Sequence, residues 1–377
     1  MGRENRMMTL LKTTALAALA AGGLALPLMG GYGAGRLALA LAVGIPAVSG
    51  LIAVAGRLRV SAPLRVRIAG IADRLPRLGG VAGYVAGVGL ALFPLLLNNY
   101  YLDTLGLAAL YAMLAVGLNV TVGLTGLLDL GYAAFYGIGA YFYAVASTRA
   151  GVPFWLGLPL GGMLAALFGV ALGVVTLRLR GDYLAIVTLG FVQITYLVFN
   201  NWDSVTGGPN GILQIARPSL FGWTLRKPAH FYVLTLALLS GVVLMVRRLL
   251  HSQIGRAWIA IREDAVAAAA MGINVTWMKV FAFALGAGIA GLAGVVFAAK
   301  YAFVSPESFN FQESVRILSM VVLGGMGSLP GAMLGALLLT LLPEWLRALE
   351  NYRMLLFGAV LVVMMIFRPQ GLLSKRI

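Results

Sequence analysis

The sequence predicts an all-α, polytopic inner-membrane helix bundle with about ten to twelve crossings, including short or broken helices. The 377 residues are 61% hydrophobic and only 11% charged, whereas a soluble domain has about 25% charged residues. The mean hydropathy is +0.94. Many apolar runs also approach the length of about 20 residues that a helix needs to cross a bilayer, and none alternates as barrel strands do.

Candidate spans follow one another along the whole chain. The first apolar run comes after Arg3, Arg6 and Lys12 and has the form of a secretory signal, but a second run follows so closely that we expect an uncleaved helix. The spans are predicted at 13–30, 37–56, 81–98, 104–124, 132–148, 154–177, 184–200, 231–250, 278–299, 314–327, 331–348 and 354–367.

The basic residues predict the orientation of the chain. A net charge of +16 could indicate nucleic-acid binding, but the 28 Lys and Arg residues fall mainly in loops between apolar runs. Because basic loops mark the cytoplasmic side, this pattern indicates topology and not a nucleic-acid partner. Both termini are predicted to be cytoplasmic, and the arginines between 57 and 77 are expected to lie on anionic lipid headgroups.

The inner loop at 252–278 is unusually long and contains the segment REDAVAAAAMGI at 262–273. An apolar stripe with spacings of 3, 4, 3 and 4 predicts one amphipathic helix, which Gly272 is suited to end. Alanines would let another surface approach closely. Two interpretations stay open on this pattern: a plug for a groove on another protein, or a helix lying on the inner leaflet. The stripe consists of Trp258, Ile261, Ala265, Ala268 and Gly272.

Small residues at intervals of four predict close helix packing. Gly327, Gly331 and Gly335 form one such series, and Gly286, Ala290 and Gly294 form another. Pro330 interrupts the first series, so a half-helix or re-entrant turn is expected at 324–330. On the outer side, TGGPNGI at 206–212 predicts a structured loop.

Few polar residues fall inside the predicted spans. Asp129 is expected at the inner edge and Arg316 at the outer edge, so no acid is predicted at mid-membrane, which argues against a proton relay or sodium coupling. The neutral candidates for contact with a solute, or for bonds between helices, are Asn119, Thr121, Thr188 and Gln193.

Catalytic signatures are missing from the sequence. It has no cysteine and only two histidines, and it contains no HExxH, GxSxG or GxxxxGK[ST] motif. If ATP drives the protein, the ATPase is therefore another chain. An ATPase-independent secondary transporter, an intramembrane enzyme and an assembly scaffold remain as alternatives.

Several segments, in order and with compatible spacing, resemble a known family of transporters. The 255–273 segment GRAWIAIREDAVAAAAMGI is similar to the cytoplasmic loop by which permeases of ATP-binding-cassette importers dock into their ATPases. From Tyr101 to Leu373 the chain resembles branched-chain amino acid permeases of the LivM type. The segments are GLNVTVGLTGLLDLGYAAFYGIGAYFYA (117–144), LRLRGDYLAIVTLGF (177–191), TGGPNGI (206–212), FVSPESF (303–309), VVLGGMGS (321–328) and RPQGLL (368–373).

This resemblance implies a permease core at 101–377 behind an N-terminal extension, 1–100, of about three membrane helices with a basic cytoplasmic loop. It also implies a second, shorter LivH-like permease, two cytoplasmic ATPases and an extracytoplasmic solute-binding protein as partners. No cofactor is expected on this chain, since ATP and Mg would bind the ATPases. Related permeases serve urea or short-chain amides, so these stay as alternative substrates.

In this interpretation the 252–278 loop couples the permease to the ATPases. Arg262, Glu263 and Asp264 would set orientation in the groove, Ala267 and Ala268 would allow close approach, and Gly272 would turn the chain back to the membrane. The predicted coupling residues are Arg256, Arg262, Glu263, Asp264, Ala267, Ala268 and Gly272.

Overall fold

A computed structural model of the protein describes residues 99–176, 182–220 and 223–345, and the single positions 358, 371 and 372. All of them belong to a compact unit from Leu90 to Ile377. The predicted spans at 13–30, 37–56 and 81–98, nearly all of the predicted extension and nearly all of the span at 354–367 lie outside the described residues.

The described residues form eleven α-helices and four short strands. Helix α1 continues without a break into a π-helical segment, Asn119–Leu124, here called the π segment. The helices are α1 Asn99–Leu118, α2 Tyr132–Arg149, α3 Phe154–Thr176, α4 Asp182–Asn201, α5 Asp203–Thr206, α6 Pro228–Leu250, α7 Gln253–Glu263, α8 Ala265–Ala270, α9 Val275–Tyr301, α10 Phe311–Gly324 and α11 Leu329–Trp345. The strands are β1 Ile212–Leu213, β2 Ser219–Leu220, β3 Trp223–Thr224 and β4 Phe303–Val304.

The predicted polytopic helical fold is confirmed in this part of the chain. Five helices are long and apolar enough to cross a membrane: α1 with the π segment, α3, α4, α6 and α9. Helices α2, α10 and α11 coincide with the remaining predicted spans between 132 and 348. With 14 residues and a rise of about 1.5 Å per residue, α10 is too short to cross a core of ~30 Å.

Helices α1 and α9 lie at the centre of the bundle, where glycine lets backbones meet. Helix α9 contacts α1, α2 and α3. A β-carbon added at Gly291 would lie 2.7 Å from the Gly161 carbonyl oxygen of α3, closer than packed atoms tolerate. Gly286 lies similarly close to the Gly117 carbonyl of α1, and Gly294 to backbone atoms of α2. The packing predicted for the α9 glycines is therefore confirmed.

The outer loop is structured, as its turn-forming sequence predicts. Gly207, Gly208 and Gly211 all have positive φ, at 74°, 57° and 69°, a region that glycine adopts without a steric penalty. The turns allow β1 to pair antiparallel with β4, with Ile212 opposite Val304. The connection after α4 is thereby fastened to the connection after α9.

The break predicted near Pro330 is also confirmed. Helix α10 ends at Gly324 and α11 begins at Leu329. Between them Gly325 and Gly327 have φ of 117° and 86°, and Pro330 occupies the second position of α11, where its missing N–H costs no helical bond.

Candidate coupling site and solute path

The 252–278 loop is helical, but the prediction of one amphipathic helix is wrong. Helix α7 ends at Glu263 and α8 starts at Ala265, because Asp264 between them is extended, with φ −153° and ψ 111°. Its carboxylate accepts hydrogen bonds from the Val266 and Ala267 amides, at 2.7 and 3.0 Å. These bonds lower the pKa of Asp264, so Asp264 is a charged N-cap of α8.

The predicted apolar stripe faces this chain itself. Trp258 is fully buried, and its Nε1 donates to the Met278 carbonyl at 2.9 Å. Ile261 and Ala268 are only 4% exposed. The close approach expected at Ala268 is therefore an approach to the permease's own helices, while Gly272, with φ 84°, turns the chain after α8.

The opposite side of the loop is exposed. Val266 is 65% exposed and Met271 is 82% exposed, and Ala267, Ala269 and Ala270 are exposed beside them. Val266 and Met271 are exposed apolar side chains, and the residues around them are alanines. Together they form an exposed apolar patch, which is typical of a contact with another protein. We call Val266, Ala267, Ala270 and Met271 the outer face of the loop.

Arg262 contacts the end of the first described span. Its Nη1 donates to the Gly123 carbonyl at the end of the π segment, at 2.6 Å. Asn119, at the other end of the π segment, accepts a bond from the Gly327 amide at 2.8 Å. The π segment therefore connects the 252–278 loop with the turn between α10 and α11.

A polar cleft of about 350 Å³ lies beside Arg262, between the 252–278 loop and the loop that follows the π segment. Glu263, Asp264 and Val266 line one wall, and Thr125 and Leu128 line the other. Arg256 lies apart from this cleft; it is exposed and donates to the His251 carbonyl at 3.4 Å.

Three of the four residues predicted for the solute path are buried within this chain. Asn119 and Thr188 are fully buried, and Thr121 is 1% exposed. Thr121 donates to the Leu118 carbonyl, at 3.0 Å. Thr188 accepts from the Leu130 amide just before α2, at 3.0 Å. Gln193 alone of the four is exposed.

The start of α2 is held by side chains from three elements. Besides Thr188, Asp129 accepts from the Gly131 amide and Ser314 from the Ala133 amide, both at 2.9 Å. These bonds satisfy free amides at a helix start inside the bundle. The second carboxylate oxygen of Asp129 is buried without a hydrogen-bond partner among the described residues.

Gly331 and Gly335 lie where α11 crosses α10. A β-carbon at Gly331 would lie 2.5 Å from the Gly324 carbonyl oxygen, and one at Gly335 would lie 2.8 Å from the Gly324 amide nitrogen. Gly327 lies in the preceding turn, next to Arg262 and Gly123.

The sequence predicts Arg316 at the outer edge of the membrane, and the structure places its side chain beside Tyr111 of α1. Its Nη1 donates to the Tyr111 hydroxyl at 3.3 Å, and its guanidinium lies 5.2 Å from the Tyr111 ring centre. Tyr111 is near the middle of the 26-residue helix from Asn99 to Leu124, ~18 Å from either end. Glu313 lies beside Arg316, with Oε2 3.8 Å from Nη1, so an acid and a base lie next to the middle of this helix.

The connection between α9 and α10 brings Arg316 and Glu313 to this position. After β4 and a short 3₁₀ turn, Pro306–Phe309, the chain passes back into the bundle, where Phe309 is 1% exposed and packs on the Tyr136 and Tyr141 rings. The only sequence signal was the shortness of the predicted span at 314–327.

In the described ranges, no group of three or more His, Asp or Glu side chains is placed to hold a metal ion.

Comparisons with known proteins agree on one family. A family described as "Branched-chain amino acid transport system / permease component" matches residues 100–365. The chain is 44% identical to the high-affinity branched-chain amino acid transport system permease protein LivM of Escherichia coli K12, over 74% of this chain and 72% of that protein.

More distant permeases are similar over shorter or weaker matches. LivH of the same strain, a permease of the same transport system by name, is 26% identical over 71% of this chain and 92% of its own length. The autoinducer 2 import system permease protein LsrC of Klebsiella pneumoniae is 32% identical over 48% of this chain and 51% of its own. No solved structure is significantly similar.

Proposed function

This chain belongs to the permease family of branched-chain amino acid transport systems, and from that premise we propose that it forms half of the translocation pathway of an ATP-driven importer for these amino acids. It is a multi-pass transport subunit and not an enzyme. Its pathway is completed by a second, LivH-like permease. Two cytoplasmic ATPases bind ATP and Mg, and an extracytoplasmic binding protein delivers the solute.

The observation that carries the coupling role is the two-sided build of the 252–278 loop. The inner side is anchored by buried Trp258 and Ile261 and by the bond from Arg262 to the π segment. The outer face presents Val266 and Met271 to solvent. An element that is rigidly held on one side and apolar on the other can pass a displacement from a soluble partner into the membrane helices.

In the proposed mechanism, ATP binding brings the two ATPases together and displaces the outer face. Because α8 is capped by Asp264 and packed through Ala268, the loop moves as a unit. Arg262 passes this movement to Gly123, and the π segment passes it through Asn119 to the turn between α10 and α11. Helices α6 and α9, which flank the loop, tilt with it and open the pathway.

The proposal includes a membrane and an orientation. The protein lies in the bacterial inner membrane with the 252–278 loop in the cytoplasm and both termini on the same side. Most basic residues then fall inside. The loop containing β1 lies outside, where the binding protein docks.

Substitution of Val266 by Glu tests the coupling surface. The variant should lose the ATPases on co-purification while the two permeases stay paired, because a carboxylate is desolvated in an apolar contact. Uptake of labelled leucine should fall with the loss of the ATPases. Leu213, also 65% exposed, lies on the other side of the bundle, so Leu213→Glu is a matched control that should retain the ATPases.

Two results would contradict the proposal. One is normal ATPase binding and leucine uptake by the Val266→Glu variant. The other is leucine uptake into vesicles by the purified chain alone, without nucleotide, which would favour a secondary transporter.

A further inference from the structure

Helix α10 carries a partly exposed stripe formed by Gln312, Val315, Arg316 and Ser319. Their spacings of 3, 1 and 3 place them on one face of the helix. Gln312 is exposed, Val315 is 38% exposed and the Arg316 side chain is 39% exposed. The Ser319 hydroxyl donates to the Val315 carbonyl at 2.8 Å, in an exposed position. We call these four residues the α10 stripe.

The α10 stripe lies at a depth where contact with lipid hydrocarbon is unfavourable for polar side chains. Arg316 is level with Tyr111, near the middle of the long α1 span. A polar or charged side chain at this depth faces protein or water and not hydrocarbon. Helix α3 shows the contrasting pattern. Its exposed residues from Trp155 to Val175 have no charged side chain, and the Trp155 indole is the one hydrogen-bonding group among them. This indole donates to the Ser219 carbonyl at 2.8 Å.

Arg316 in the stripe and Glu313 behind it form an ion pair that is held in place, but not all of its hydrogen-bonding groups have partners. Tyr111 accepts one bond from the Arg316 guanidinium, which has five N–H donors in a planar fork suited to a carboxylate. Oε1 of Glu313 is buried with no hydrogen-bond partner among the described residues. A cationic group and an anionic group therefore lie side by side with bonding capacity left over.

The described bundle also contains a larger cavity, but its apolar lining is unsuitable for a zwitterionic solute. The cavity of about 450 Å³ between α2, α3 and α4 is lined mainly by aliphatic and aromatic side chains, including Tyr141, Leu164 and Phe191. Moving a zwitterion into such surroundings would leave both of its charges unpaired. The α10 stripe, in contrast, presents the Arg316 guanidinium, which can pair with a carboxylate.

We propose that the α10 stripe lines the water-filled solute path and that Arg316, held from behind by Glu313, binds the carboxylate of a passing α-amino acid. The inference rests on the proposed function, in which the second permease supplies the other wall. It requires a carboxylate on the solute, so neutral urea and short-chain amides, which lack this group, are poor substrates. Val315 lies beside the charges and suits an apolar side chain.

The natural sequence contains no cysteine, so single cysteines can report which residues meet water. Cysteines at Gln312 and Ser319 should react with a charged, membrane-impermeant thiosulfonate in the assembled importer, and leucine should slow the reaction. Controls at Met163 and Leu167, both exposed on α3, should react at least about tenfold more slowly, because hydrocarbon suppresses the reactive thiolate.

Arg316→Gln tests recognition. Leucine uptake should fall about tenfold or more, as expected for loss of a charge-assisted bond, while ATPase binding is unchanged. Arg316→Lys, which keeps the charge but loses the fork, should retain part of the uptake. Arg248→Gln, which removes an exposed charge in the last turn of α6, should behave as wild type. In the wild-type importer, leucine should compete for uptake and neither leucinamide nor urea should do so.

Every outcome decides the inference. Equal labelling of the α10 and α3 cysteines overturns it, and so does normal uptake by Arg316→Gln. If that variant does not assemble, the cysteine labelling still gives the answer. The proposed function fails separately, and visibly, if the wild-type chain neither co-purifies with the ATPases nor supports ATP-dependent leucine uptake.

Discussion

Arg262 is a residue through which the 252–278 loop contacts the end of a membrane-spanning helix. The sequence places it in a run of three charges, which favours contact with an acidic or polar partner surface. In the structure its guanidinium turns inward to the Gly123 carbonyl. Gly123 lies in the last turn of the helix, where carbonyl groups have no intrahelical partner, and π-helical turns often mark a functional position. Arg262 uses one of these carbonyl groups as its acceptor.

The role of Arg262 predicts uncoupling and not loss of assembly. Arg262→Gln should lower leucine uptake roughly tenfold, because a bond from a charged donor is lost, while the ATPases stay bound and continue to hydrolyse ATP. Leucine uptake and ATP hydrolysis, measured on the same proteoliposomes, give the ratio of leucine transported to ATP hydrolysed. Arg256→Gln, six residues before Arg262 on the exposed side of α7 and outside the cleft lining, is the control. If both variants keep the wild-type ratio, Arg262 transmits nothing.

At the level of secondary-structure elements, the close contact between α10 and α11 depends on glycine. Gly335→Ala should destabilise the permease by about 1–3 kcal/mol, since the added methyl group has no space between the two helices. Gly241→Ala on α6 is the matched control: no heavy atom lies within 4 Å of its added β-carbon, and alanine favours helix by up to about 1 kcal/mol. Thermal unfolding of the assembled importer should separate the two variants. Equal melting temperatures would show that the contact is loose.

The elements also show what could be predicted from the sequence. Long apolar runs determine α3, α6 and α9 almost to the residue, because burial in lipid leaves the backbone no alternative to a helix. The division of the 252–278 loop could not be predicted from apolar spacing, since the stripe runs through both helices. The signal was Asp264 itself, whose short carboxylate favours an N-cap over a helix interior.

At the scale of the whole molecule, sequence patterns located the membrane crossings but not the depth of polar groups. Thr188 and Gln193 are both polar positions on α4, yet one is buried against α2 and the other is exposed. Which of them faces the bundle depends on helix rotation, which packing sets. The contact of Arg316 with Tyr111 could not be predicted, because the connection after α9 re-enters the bundle and no local pattern encodes that return.

The shortness of α10 has a consequence for how the protein is made. A segment of 14 residues that includes Glu313 and Arg316 is a weak substrate for the insertion machinery, since a charge at the centre of a helix costs about 2.5–3.5 kcal/mol on insertion. Helix α10 should therefore enter the bilayer only together with α11, as a hairpin. A reporter fused after Gly324 should be translocated outside, whereas a chain extended through Trp345 should integrate both helices, as glycosylation mapping can show. If α10 integrated alone, its charges would have found partners before α11 was synthesised.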